Sequence, residues 1–86
     1  MSKETIMATL IIILASRIGV DENRLGSENH DLILTGSTLQ LDDINMVYLF
    51  YEVEKAFGIH IPKEMLDNYG FSTINKIADI VLGMCS

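Results

Sequence analysis

Two adjacent carboxylates, Asp42 and Asp43, are the densest group of reactive side chains in the sequence. Paired acids are the raw material of an acid/base dyad or of a metal site. No histidine or third acid is spaced to join them, and a long run with helical periodicity follows. Adjacent acids at a helix start ordinarily act as a cap and as partners of the helix dipole. Ser37 and Thr38 are the nearest hydroxyls upstream, and after Gly36 they have the character of turn residues. His30 and His60 fall in loop or link segments without a spaced partner, so neither metal binding nor activation of a nucleophile is indicated. Cys85 has no activating neighbour in sequence and reads as a spectator thiol. These residues assemble no catalytic constellation, and the chain is expected not to be an enzyme or a metal protein.

The elements that position these residues are helical. The first helix spans about Lys3 to Ile18, with Ser2 as its N-cap and Gly19 as its left-handed stop. Ile6, Leu10, Ile13, Leu14 and Ile18 form one stripe, and Met7, Ile11 and Ile12 widen it. From Val20 to Leu41 the chain is polar and broken. So long a loop must wrap the core, pinned by Leu25, Leu32, Leu34, Leu39 and Leu41 and holding a short helical turn. The second helix spans about Asp43 to Phe57, capped by Asp42 or Asp43 and closed by Gly58. Its inner stripe is Met46, Leu49, Phe50, Val53 and Phe57. Ile59, His60 and Ile61 form an extended link to Pro62, after which a third, short helix fits Lys63 to Asn68 and stops at Gly70. Ser72 is placed to cap a last helix, with Asn75 three residues on, whose stripe is Ile74, Ile77, Ile80 and Val81. No segment reads as a sheet. The expected fold is all-α: a four-helix bundle of three long helices and one short one, a single domain over residues 1–86.

Bulk properties exclude several functions. Twelve acids oppose six bases, a net charge of −6, so there is no basic face for nucleic acid. Ile6 to Ala15 is too short to cross a bilayer, which takes about 20 residues, and its flanks do not suit a signal peptide. The lone Cys85 allows no internal disulfide and fits a reducing compartment. A cytoplasmic, monomeric protein without membrane contact is expected.

In the helical layout and in the segments Val53 to Pro62, Phe71 to Asn75 and Val20 to Asn23, the chain resembles the acyl and peptidyl carrier proteins. Val53-Glu-Lys-Ala-Phe-Gly-Ile-His-Ile-Pro62 is similar to the carrier segment in which a helix ends in Phe and runs into Ile-Pro. Phe71-Ser-Thr-Ile-Asn75 is similar to the start of the family's last helix, and Val20-Asp-Glu-Asn23 to the end of its first. The resemblance covers nearly the whole chain. It implies an acyl-carrier-like four-helix bundle, whose functional motif Gly-x-Asp-Ser-(Leu/Ile) opens the second helix. In that family the serine carries 4′-phosphopantetheine, whose thiol holds the cargo. Aligned back from Phe57, the motif falls on Gln40-Leu-Asp-Asp-Ile44. Asp42 and Ile44 match, Gln40 replaces the glycine, and Asp43 replaces the serine.

A carboxylate cannot accept the arm, so the resemblance implies a carrier-related module without a cofactor. The alternative is a working carrier with 4′-phosphopantetheine on a non-standard residue such as Ser37, which lies six residues before Asp43. The outer face of the second helix carries Ile44, Val47, Tyr48 and Tyr51, a second stripe that a solitary bundle does not need unless the long first loop folds over part of it. In the family this helix docks partner enzymes through a mixed acidic and apolar face, and Tyr48 here takes an acidic position. Asp42, Asp43, Ile44, Val47, Tyr48 and Tyr51 are therefore the expected contact residues for a biosynthetic or peptide-maturation enzyme. Tyr48 and Tyr51 are expected to be partly exposed, and Phe50, Val53 and Phe57 buried.

Overall fold

A computed structural model describes residues 2–62 and 72–85. Helix α1 spans Lys3–Ile13, and the Ser2 hydroxyl accepts from the Thr5 amide at 3.3 Å, as an N-cap does. The chain continues through a wider π-helical turn, Leu14–Ile18, so the expected single helix is α-helical only to Ile13. The amides of Gly19 and Val20 both donate to the Leu14 carbonyl at 2.9 Å. That closure requires a left-handed residue, and Gly19 supplies it at φ 91°.

The following loop contains two 3₁₀ turns, Glu22–Arg24 and Ser27–Asn29. Helix α2 spans Asp43–Phe57 and ends on Gly58, and helix α3 spans Ile74–Cys85. Among the described residues there are no strands. The expected third, short helix at Lys63 to Asn68, its stop at Gly70 and the motif residue Phe71 lie outside the described residues. No helix among the described residues is long and apolar enough to cross a membrane.

One core joins the three helices. Helix α1 contributes Ile6, Leu10 and Ile13, the π-helical turn Leu14, α2 Leu49 and Val53, and α3 Ile74, Ile77, Ala78 and Val81. Helix α1 packs on both others. Leu25, Leu34, Leu39, Leu41 and Ile61 fill the remaining gaps from the loop and the link. Leu32, expected among the pinning leucines, is exposed instead, as is Ile33. The chain turns outward there before Leu34 re-enters the core.

The loop is fastened to the start of α3. The Leu34 amide donates to the Ser72 carbonyl at 2.8 Å, and the Asn75 amide to the His30 carbonyl at 3.1 Å. Asn75 Nδ2 also donates to Asp31 Oδ1 at 2.6 Å. Asn75 is thus occupied by the loop, and the cap expected at Ser72 is supplied by Thr73, whose hydroxyl accepts from the Lys76 amide at 3.1 Å. Thr73 is itself buried, so its hydroxyl meets a need that water does not.

The inner stripe of α2 is graded. Leu49 and Val53 are fully buried, whereas Met46, Phe50 and Phe57 are half-buried against the core, where both Phe residues were expected to be buried. Leu49→Ala is therefore expected to cost about 2–5 kcal/mol, and Phe50→Ala less than the ~3–5 kcal/mol typical of a fully enclosed Phe. Thermal unfolding checks the order, since each kcal/mol moves the midpoint by about 4–8 °C in a domain of this size.

Candidate functional site

The site is the start of α2 and the outward face that follows it. Asp42 is the N-cap. Its Oδ1 accepts from the Asn45 amide at 2.8 Å, and Asn45 Oδ1 accepts from the Asp42 amide at 3.3 Å. This reciprocal capping box satisfies two otherwise orphaned donors. It commits Asp42 to structure and gives Asn45 a role visible only as Asp-x-x-Asn spacing.

Asp43, the first helical residue, is exposed. Its carboxylate sits at the positive end of the helix dipole, an arrangement worth about 0.3–1 kcal/mol. It makes no ion pair or side-chain hydrogen bond within the described residues.

Ahead of the cap, Gln40 has φ 57°, the left-handed region that disfavours any residue with a Cβ. Arg24 Nη1 donates to its Oε1 at 3.3 Å across an open cavity of about 290 Å³ bordered by Gly19, Arg24 and Asn45. A positive φ at this position is the geometry glycine supplies without strain. Nothing in the residue type announced it, because the loop's closure imposes it.

The outward face of α2 bears Ile44, Val47, Tyr48 and Tyr51, between 57% and 66% exposed, opposite the fully buried Leu49 and Val53. Tyr51 meets the edge of the half-buried Phe50, ring centroids 6.5 Å apart and planes at 74°, which ties its position to the core. Lys55, a turn beyond Tyr51, is exposed on the same face. The flanking acids are occupied. Glu52 faces Arg17 at 3.9 Å, while Glu54 accepts from the Ile61 amide at 2.8 Å and lies 3.1 Å from His60 Nδ1. Glu54 thereby clamps the link after α2, a role the sequence left unseen.

Both histidines have local partners. His60 pairs with Glu54, and His30 Nε2 lies 2.9 Å from the Leu25 carbonyl. Ser37 and Thr38 are exposed in the turn closed by the Gln40 amide donating to the Gly36 carbonyl at 2.8 Å. Among the described residues no three His, Cys, Asp or Glu side chains gather as metal ligands do.

No family model matches the chain. The acyl carrier protein of Rubrobacter xylanophilus is 32% identical to it over 82 residues, which span 95% of this chain and 94% of that protein.

Gln40→Gly is expected to raise stability by about 0.5–1 kcal/mol, the strain released exceeding the added freedom of the unfolded chain and the loss of an exposed hydrogen bond. Calorimetry reads this as a midpoint several degrees higher. A lower midpoint assigns the Arg24 contact more weight than the backbone.

Proposed function

The chain belongs to the acyl carrier protein family, and from that premise we propose that it is a non-enzymatic, cytoplasmic interaction module that docks on a biosynthetic or peptide-maturation enzyme without carrying the family's prosthetic arm. The observation that carries this reading is Asp43 at the first position of α2.

The residue at that position does not fit 4′-phosphopantetheine. The arm's attachment is a phosphodiester to a side-chain oxygen, which requires a hydroxyl, and Asp43 offers only a carboxylate. The neighbouring geometry supports the alignment. Asp42 caps the helix, Ile44 follows the attachment position, and Gln40 holds the left-handed backbone that suits the motif's glycine. One physical property persists through the replacement. An aspartate and a phosphodiester each bring one negative charge to the helix N-terminus, where either is stabilised by about 0.3–1 kcal/mol. Asp43 thus presents a partner with the charge of a loaded carrier and none of its chemistry.

The exposed stripe supports docking. Four large apolar or aromatic side chains lie on one helix face beside the acidic start, and tyrosines in such a position supply contact area with a hydrogen-bonding tip. Helix-in-groove recognition uses this spacing of anchors.

Incubation with coenzyme A and a broad-specificity phosphopantetheinyl transferase is expected to leave the wild-type mass unchanged, and Asp43→Ser is expected to gain one arm. A gain on the wild type overturns the reading, and peptide mapping then tests the alternative carrier with its arm on Ser37. Replacing Tyr48 and Tyr51 together by Ala is expected to keep the fold, at a cost of about 0.5–1.5 kcal/mol from the Phe50 ring contact, and to weaken capture of the partner enzyme. Unfolding as extensive as that of Leu49→Ala assigns the tyrosines to the core instead.

A further inference from the structure

The open cavity of about 290 Å³ ahead of α2 is bordered by charges and hydrogen-bonding groups that the docking face does not use. Asp21 and Arg24 both line it. They stand at the two ends of a 3₁₀ turn, Asp21 as its N-cap and Arg24 as its last residue. Side chains three apart on such a turn lie on the same side. The two nevertheless make no ion pair with each other or with any other described residue. One full positive and one full negative charge therefore border the same small space without neutralising each other. One Asp21 oxygen accepts from the Asn23 amide at 2.9 Å, which leaves the second oxygen free.

Two side-chain amides add donors. Gln40 Oε1 accepts from Arg24 Nη1, and Asn45 Oδ1 accepts from the Asp42 amide, each at 3.3 Å. Both amide oxygens are thus engaged, and neither amide nitrogen has an acceptor among the described residues. Buried Leu39 and Leu41, with half-buried Ile18, give the cavity an apolar wall.

We propose that this cavity binds a free α-amino acid with an aliphatic side chain. Its carboxylate meets the guanidinium of Arg24, whose planar fork matches a carboxylate, and the amide nitrogens of Gln40 and Asn45 supply further donors. Its ammonium meets the free oxygen of Asp21, and its side chain lies on the apolar wall. A zwitterion is favoured over a simple anion, because Asp21 and the net charge of −6 oppose uncompensated negative charge. The size agrees, since pockets for small molecules begin at about 300 Å³. An open site that leaves part of the ligand in water binds weakly, on the order of millimolar. The inference stands apart from enzyme docking. Successive residues lie about 100° apart round a helix, so Asn45 is turned by that angle from Ile44 and away from the exposed stripe.

Heteronuclear NMR titration of the full chain with L-leucine tests this. Saturable shifts are expected at the amides of Gly19, Val20, Arg24 and Gln40. Isocaproate, which is leucine without its ammonium, and isoamylamine, which lacks the carboxylate, are each expected to bind at least about tenfold more weakly. Asp21→Asn keeps a capping side chain on the turn, and Arg24→Gln keeps a polar amide without the charge. Each variant, folded by circular dichroism, is expected to weaken leucine binding at least about tenfold. Asp21→Asn is expected to bind isocaproate no more weakly than the wild type does, since the charge it removes meets only the ammonium. A wild type without saturable shifts up to the solubility limit of leucine overturns the proposal. So does isocaproate binding as tightly as leucine, which makes the cavity a plain carboxylate site, and so does leucine binding that either variant leaves unchanged.

Discussion

Burial of Leu49 and Val53 in the core shared with α1 and α3 fixes the rotation of α2 about its own axis. These two residues lie four apart, one above the other on a helical face. Once they point inward, Ile44, Val47, Tyr48 and Tyr51 have no choice but to point outward. The exposed apolar face is therefore a geometric consequence of the core. It also has a thermodynamic cost. A large apolar side chain left in water forgoes about 1.5–3 kcal/mol of burial, and four of them on one helix make a stripe whose gain is available only on association.

The same rotation brings the start of α2 to the loop, and the loop is held in turn by α3. Leu34 and Leu41 are buried, and the Leu41 amide donates to the Leu34 carbonyl at 3.0 Å, closing residues 34–41 into a turn. The Leu34 amide and Asn75 tie that turn to the last helix. Gln40 is the residue caught between the buried Leu39 and Leu41. Both neighbours must face the core while the chain reverses into the capping box at Asp42, and the left-handed φ of Gln40 absorbs the change of direction. The head of the site is thus set by residues more than thirty positions apart in sequence.

That dependence explains what the sequence made legible. Helix faces, the caps at Ser2 and Asp42, the stops at Gly19 and Gly58, and the exposure of Tyr48 and Tyr51 follow from local periodicity and end chemistry, which the sequence displays directly. The proposed placement of Asp43 at the family's attachment position rests only on the family resemblance. Features set by distant contacts were not legible. Thr73 rather than Ser72 caps α3 because Asn75 is claimed by Asp31 and His30, and no local pattern announces that claim. Leu32 resembles the other loop leucines in type and spacing, yet it lies where the chain bends outward. The left-handed Gln40 and the Glu54 clamp on Ile61 belong to the same class, each a backbone requirement met by tertiary closure.

The division of labour at the head of α2 separates fold from chemistry. Asp42 and Asn45 satisfy the helix end between themselves, so the residue at position 43 is released from any capping duty. It is exposed, outside the core cluster and unpaired among the described residues. A serine, a modified serine and an aspartate all fit there without repacking a single buried side chain. The two charged forms share the small gain from the helix dipole, which the unmodified serine lacks. Loss of the hydroxyl under the proposed reading therefore leaves the fold intact and the surface charge of the loaded state in place, while a change at Leu49 or Val53 could not be made on such terms. On the proposed reading, position 43 can lose its hydroxyl without disturbing the face beside it, because that face is oriented by the core.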